Sequence, residues 1–170
     1  MPHLDAAYNL ARWLVRSEHA ADDVVQESYL RALRYFGSFH GEDAKPWLLG
    51  IVRNTCYTWL RDNSGAAQTL EYDDEHEMEA AQAGITPGPD NPERLLSIKQ
   101  DSALLNAAIA GLPPVYREVL ILRELEEMSY AEIARIAAIP HGTVMSRLSR
   151  ARTLLRTALL RGEEREKAIR

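Results

Sequence analysis

The residues with the most chemical content lie near the C-terminus of the chain. Residues 139–162 carry five arginines, Arg147, Arg150, Arg152, Arg156 and Arg161, and no acid. At about 100° per residue, Val144, Leu148, Ala151, Leu155 and Leu159 share one helical stripe, which must pack inward. Ser146, Ser149, Arg150 and Thr153 fall opposite, with Arg147 flanking that outward face on one side and Arg152 and Arg156 on the other. Such a surface suits nucleic acid. Arginine meets guanine edges in the major groove, small hydroxyls meet bases or phosphates, and flanking cations neutralise the backbone. An arginine-rich solvated face is the plainer alternative. Other chemistries lack their residues. There is no glycine-rich phosphate loop, nucleophile elbow or paired acid and base outside one acidic stretch, so no enzyme is expected. Cys56 is the single cysteine, and the five histidines are scattered at 3, 19, 40, 76 and 141. Without a CxxC pair or an HExxH helix, neither a disulfide, a metal nor any other cofactor is expected.

The elements that must hold these residues all read as helices. Ser129, with Glu132 three residues on, forms a capping box opening a helix over residues 130–138. Pro140 and Gly142 make a turn, and Thr143 is expected to cap a long helix to about Arg161. A short helix, a tight turn and a second helix opening TVMSRLSRAR have the form of a helix-turn-helix. Upstream, residues 98–110 run to Gly111, and Pro113 with Pro114 starts a helix through Glu124. In the first third, residues 6–15 form an apolar-rich run, and residues 21–36 place Val25, Tyr29, Ala32, Leu33 and Phe36 at helical spacing until Gly37. Glu42 and Asp43 precede Pro46 at a helix start that continues through Trp47 to Arg61. No alternating apolar pattern of strand length occurs, so the fold class is all-α.

Charge is segregated along the chain. The net charge of -5 conceals 7 basic and 8 acidic groups in residues 1–62, 1 and 8 in residues 63–97, and 12 and 9 in residues 98–170. The middle stretch holds Pro87, Pro89 and Pro92 among its acids and reads as a flexible linker. It serves either as a solvated spacer or as a segment suited to a positively charged channel on a partner. Two small helical domains therefore flank an acidic linker: residues 1–62, 63–97 and 98–170. Each lobe is small enough to need helix packing or a partner for stability. With no apolar run long enough to cross a bilayer and no leader-like start, the chain is expected to be cytoplasmic.

Two blocks carry a family resemblance. The stretch LPPVYREVLILRELEEMSYAEIARIAAIPHGTVMSRLSRARTLLR resembles region 4 of bacterial RNA polymerase sigma factors of the extracytoplasmic-function (ECF) type in the sigma-70 family. DDVVQESYLRALRYFGSFHGEDAKPWLLGIVRNTCYTWLRD similarly resembles their region 2. The resemblance implies a transcription initiation factor that binds core RNA polymerase, recognises minus-35 and minus-10 promoter elements and helps to open the DNA. It also implies an anti-sigma partner.

Carried onto this sequence, the family's core-binding helix corresponds to Asp23, Gln26, Glu27 and Leu33, which would dock on the clamp helices of the largest polymerase subunit. The flap is the implied contact for the second lobe. The part that reads the opened minus-10 strand corresponds to Asn54, with Phe39 in the capture loop. Lys45, Arg53 and Arg61, with no acid between residues 44 and 60, supply a basic track beside bases that stack on aromatic groups. Trp47 and Trp59 lie about 120° apart on the helical wheel, so at least one is expected in the core; Tyr57 is undecided. For the minus-35 element the resemblance places groove contacts on Ser146, Ser149 and Arg150, with Arg147 alongside, Arg156 on the backbone, and Thr143, Arg152 and His141 at phosphates. Met145 departs from the Lys or Arg of many members and offers apolar contact instead. Members usually carry more residues before the first helix, which predicts fraying there. The competing readings are an ordinary helix-turn-helix regulator binding duplex as a dimer, and a sigma-like adaptor that does not open promoters.

Overall fold

The computed structural model describes residues 3–41, 43–63 and 102–169. Glu42, the acidic linker and residues 98–101 therefore lie outside the described residues. Seven α-helices and one 3-10 turn make up the described chain: α1 (Leu4–Val15), α2 (Glu18–Tyr35), the turn Phe36–Ser38, α3 (Ala44–Asn63), α4 (Ser102–Ala110), α5 (Pro114–Glu124), α6 (Tyr130–Ala137) and α7 (His141–Ile169). None is long and apolar enough to cross a membrane.

The first lobe is a bundle of α1, α2 and α3, each touching the other two. Ala6, Ala7, Leu10, Ala11 and Leu14 recur at helical spacing, so one face of α1 is wholly apolar and wholly buried. Burying Leu10 and Leu14 alone is worth roughly 1.5–3 kcal/mol each, and the helix runs from Leu4. The helix stops at Arg16, which takes a left-handed φ of 59° and donates its N–H to the Arg12 carbonyl. Ser17 then caps α2 by accepting from the Ala20 N–H at 3.3 Å, so α2 starts three residues earlier than the apolar spacing alone predicts. Gly37 is not a sharp stop; the chain tightens there into the 3-10 turn.

In the second lobe α5 spans the predicted bounds, and Ser129 and Glu132 form the expected capping box at 3.1 and 2.7 Å. Ala138, at a left-handed φ of 55°, turns the chain toward α7. That helix begins at His141, because the Pro140 carbonyl already accepts from the N–H groups of Thr143 and Val144. Thr143 therefore sits inside the first turn rather than capping it. At its far end α7 runs on to Ile169, and Gly162 lets the α4 side chain Leu104 lie against the backbone, with only 2.4 Å left to the position of a Cβ.

The two lobes share one core. Every residue from Val115 to Leu122 is buried, a pattern that requires neighbours all round a helix. Helix α7 covers one side of α5 and α1 another, while α3 packs on α6. Each small lobe thus finds in the other the partner its size demands. Arg117, 3 % exposed, ties the junction by donating to the Ala110, Leu112 and Leu14 carbonyls at 2.9, 3.0 and 3.2 Å. Burial, reinforced by the charge of Arg16, lowers its pKa to about 10.

Candidate nucleic-acid interface

Helix α2 ends in an exposed aromatic, Phe36, and the 3-10 turn brings Phe39 back over the start of α3. There Phe39 lies 4.9 Å from the Trp47 ring, and Phe36 meets both at 6.5 Å. Trp47 and Trp59 are each half-buried against the core, so neither is wholly interior. About two turns beyond Trp47, Asn54 is exposed, its Oδ1 accepting from Arg53 Nη1 at 3.3 Å. Phe39, Trp47, Gly50 and Asn54 line a cleft of about 490 Å³ whose opposite wall is Arg135 and Ile136 of α6. An aromatic platform beside an exposed amide fits an unstacked base.

The basic track is where folding changes the sequence picture most. Arg61 is well exposed, 3.8 Å from Asp62. Lys45 instead lies 3.4 Å from the Glu126 carboxylate, and Arg53 donates through Nε to Glu118 at 3.0 Å. Acids are absent from residues 44–60, but the second lobe supplies them. Lys45, Arg53 and Arg61 consequently do not form one open track in this arrangement.

Glu118 is the centre of that junction. It is fully buried, receives Arg53 on one oxygen and the Tyr57 hydroxyl on the other, and lies in the field of Arg147. Burial raises its pKa, against the pull of Arg53, the Tyr57 hydrogen bond and Arg147. Burial likewise opposes the charge on Arg53, but Glu118 and Tyr57 outweigh it and raise its pKa. The Arg53 guanidinium also stacks 4.2 Å over the Tyr57 ring. Tyr57 thus belongs to the junction, and burial followed by the carboxylate drives its pKa up strongly. Position 118 is three residues after Val115 and four before Leu122, so a carboxylate on the apolar face of α5 was visible in the spacing.

On α7 the predicted stripe Val144, Leu148, Ala151, Leu155 and Leu159 is buried throughout, none above 4 % exposed. Met145, Ser149 and Arg156 are exposed, Arg150 and Ser146 half-buried. Met145, 52 % exposed, sits one turn before Ser149. His141 is exposed, its ring 5.8 Å from Tyr130, and Thr143 is half-buried. Ser146 spends its hydroxyl proton on the Thr143 carbonyl at 3.1 Å. Two arginines depart from the outward face. Arg147 is 6 % exposed and lies in the field of Tyr57 and Glu118; Arg152 pairs with Glu124 of α5 at 3.1 Å.

On the far side of the first lobe, Asp23, Gln26 and Glu27 of α2 are exposed together. Glu27 binds Arg31 at 2.9 Å and Asp23 lies 3.8 Å from His19. Leu33 is 74 % exposed and Leu30, one turn short of it and not singled out by the sequence, is 54 % exposed. Two bare leucines thus lie beside acids on α2.

Comparison with known proteins matches residues 1–66 to sigma-70 region 2 and residues 102–155 to sigma-70 region 4. The ECF RNA polymerase sigma factor SigE of Mycolicibacterium smegmatis is 30% identical over 157 residues, 92% of this chain and 58% of that protein. The ECF RNA polymerase sigma-E factor of Salmonella typhimurium is 36% identical over 131 residues, 76% of this chain and 69% of that protein. Among solved structures, the sigma factor RpoE in complex with the anti-sigma factor NepR from Bartonella quintana superposes with a TM-score of 0.66 at 26% identity, over 92% of this chain and 91% of that one. CnrH in complex with the cytosolic domain of CnrY reaches 0.63 at 24% identity, over 94% and 83%, a likeness of fold.

Proposed function

The chain belongs to the sigma-70 family of RNA polymerase sigma factors, in its ECF branch, and on that premise we propose that it binds core RNA polymerase and directs it to promoters with minus-35 and minus-10 elements. One observation carries the reading: a single chain pairs an aromatic cleft with an exposed amide, Phe39 and Trp47 beside Asn54, with a helix-turn-helix presenting Met145, Ser149, Arg150 and Arg156. The first suits an unpaired base and the second duplex DNA, the combination needed by a protein that recognises a promoter while it opens. A regulator that reads only duplex has no use for the first.

In this reading residues 1–62 are region 2, residues 63–97 the linker and residues 98–170 region 4. The surface of Asp23, Gln26, Glu27, Leu30 and Leu33 docks on core polymerase. Phe39 and Asn54 take an extruded minus-10 base and Arg61 follows the strand, while Ser146, Ser149 and Arg150 address the minus-35 groove with His141, Thr143 and Arg156 at phosphates; Lys45, Arg53, Arg147 and Arg152, paired or buried in this arrangement, reach DNA only if those pairings are given up. Bond making belongs to the polymerase, so the chain is no enzyme itself, and it acts in the cytoplasm where transcription proceeds. The likeness to an RpoE bound to its anti-sigma factor supports an inhibitor of the same kind here.

Reconstitution tests this. The purified chain, mixed with core polymerase lacking any sigma factor, is expected to associate stably and to give discrete transcripts from host DNA. Absence of association, together with tight duplex binding by the chain alone, would transfer the case to a duplex-reading regulator.

A further inference from the structure

The outer ridge of α7 carries an apolar side chain that the core leaves open to solvent. His141, Met145 and Ser149 follow one another at four-residue spacing, so they stand one above the next on the same face, and all three are exposed. Met145 is 52 % exposed, between Val144, fully buried, and Ser146, half-buried. Several polar groups beside it are committed within the protein. Arg147 is buried, Arg152 pairs with Glu124, and Ser146 donates its hydroxyl to the Thr143 carbonyl. A thioether has no hydrogen-bond donor, so the edge that Met145 meets must be recognised by its apolar content. Among the base edges of the major groove, only thymine presents a methyl group.

We propose that Met145 is a specificity-determining residue, which selects a thymine in the minus-35 element by packing its thioether on the 5-methyl group. The proposal rests on the promoter reading above, which sets α7 in the major groove. Cytosine at that position lacks the methyl, and the loss is the transfer of one methyl group back to water, about fourfold in affinity. Guanine there is worse. Its O6 and N7 acceptors lose water against Met145 and gain no donor in exchange. At about 1.5 Å of rise per residue, Met145 and Ser149 lie about 6 Å apart along α7, within about two base-pair steps of about 3.4 Å. The thymine that Met145 reads therefore falls within about two pairs of the base that Ser149 meets. A lysine or arginine at position 145 would favour guanine instead, so this side chain separates the promoters of this chain from those of members that carry a cation there.

The test uses holoenzyme formed with the full chain, on a promoter obtained from the reconstitution above. Each minus-35 thymine, on either strand, is replaced in turn by deoxyuridine, which removes the methyl group alone. With the parent chain one position is expected to lose about fourfold in affinity, and 5-methylcytosine placed there should bind more tightly than cytosine. Met145→Ala should abolish both differences, Met145→Leu should keep them, and Met145→Lys should turn the preference at that pair toward guanine. Because the side chain is exposed, none of these changes disturbs the core. If no thymine responds, or if the response survives in Met145→Ala, the assignment is overturned. An unchanged methyl response with weaker polymerase association in Met145→Ala makes Met145 a protein contact and overturns it equally. Failure to obtain any promoter refutes the promoter reading and takes this proposal with it, whereas discrete promoters without a methyl-sensitive minus-35 thymine refute the proposal alone.

Discussion

Arg53 of α3 and Glu118 of α5 are 65 residues apart in sequence and meet at 3.0 Å, with the carboxylate fully buried and the guanidinium side chain 18 % exposed. That contact joins the lobe that holds the aromatic cleft to the lobe that holds the helix-turn-helix.

Breaking it from one side strands a buried charge. Glu118→Ala is expected to cost about 3–5 kcal/mol, while Arg53→Leu combined with Glu118→Leu regains part of that, because neither member of the pair is then left inside without the other. Urea unfolding of the single and double variants measures both. A double variant as unstable as Glu118→Ala would show that the cost lies in packing rather than charge.

On α7, Arg150 and Arg156 differ in what they can read. Arg150→Ala should weaken use of the minus-35 element by about 1–3 kcal/mol and relax sequence preference, whereas Arg156→Ala should weaken binding evenly across sequences and lower the salt slope by about one. Competition binding of the holoenzyme to a randomised minus-35 library separates the two. Equal and sequence-independent losses would remove the distinction.

The exposed leucines of α2 contribute little to folding. Leu33→Ala, at a position 74 % exposed, should change stability by less than about 0.5 kcal/mol yet weaken association with core polymerase by about 1–2 kcal/mol or more. Thermal melting and polymerase titration read these independently; unchanged affinity would place the docking surface elsewhere.

Burial, helped by the nearby Glu118 carboxylate and opposed by Arg53, pushes the Cys56 thiol up from 9.0 to about 12. The unfolded thiol therefore loses its proton first as pH rises, and the stability this group contributes is complete below pH 9 and disappears toward pH 12. The gap in stability between the parent and Cys56→Ala should narrow across that window by up to about 1.4 kcal/mol per pH unit. A gap that stays constant from pH 8 to 11 contradicts the assignment.

Local patterns determined most of what was legible in advance. Proline at the start of α5, the Ser129 and Glu132 box, and the apolar stripe of α7 follow from rules that act within one or two turns of backbone, and all three hold in the structure. The same rules read Arg147 as an outward residue, because on an isolated helix it lies beside the polar face. They read Lys45 and Arg53 as an open track, because no acid stands near them in sequence.

Tertiary packing decided otherwise in each case. Once α1 and α3 cover α5 and α6, Glu118 and Glu126 arrive from the other end of the chain to meet those cations. A helix's own periodicity specifies which residues share a face, but what opposes that face is set by how two small lobes bury their remaining apolar surface. Neither lobe has enough core to stand bare. Each therefore covers the other, and in doing so brings together charges that no spacing along the chain relates.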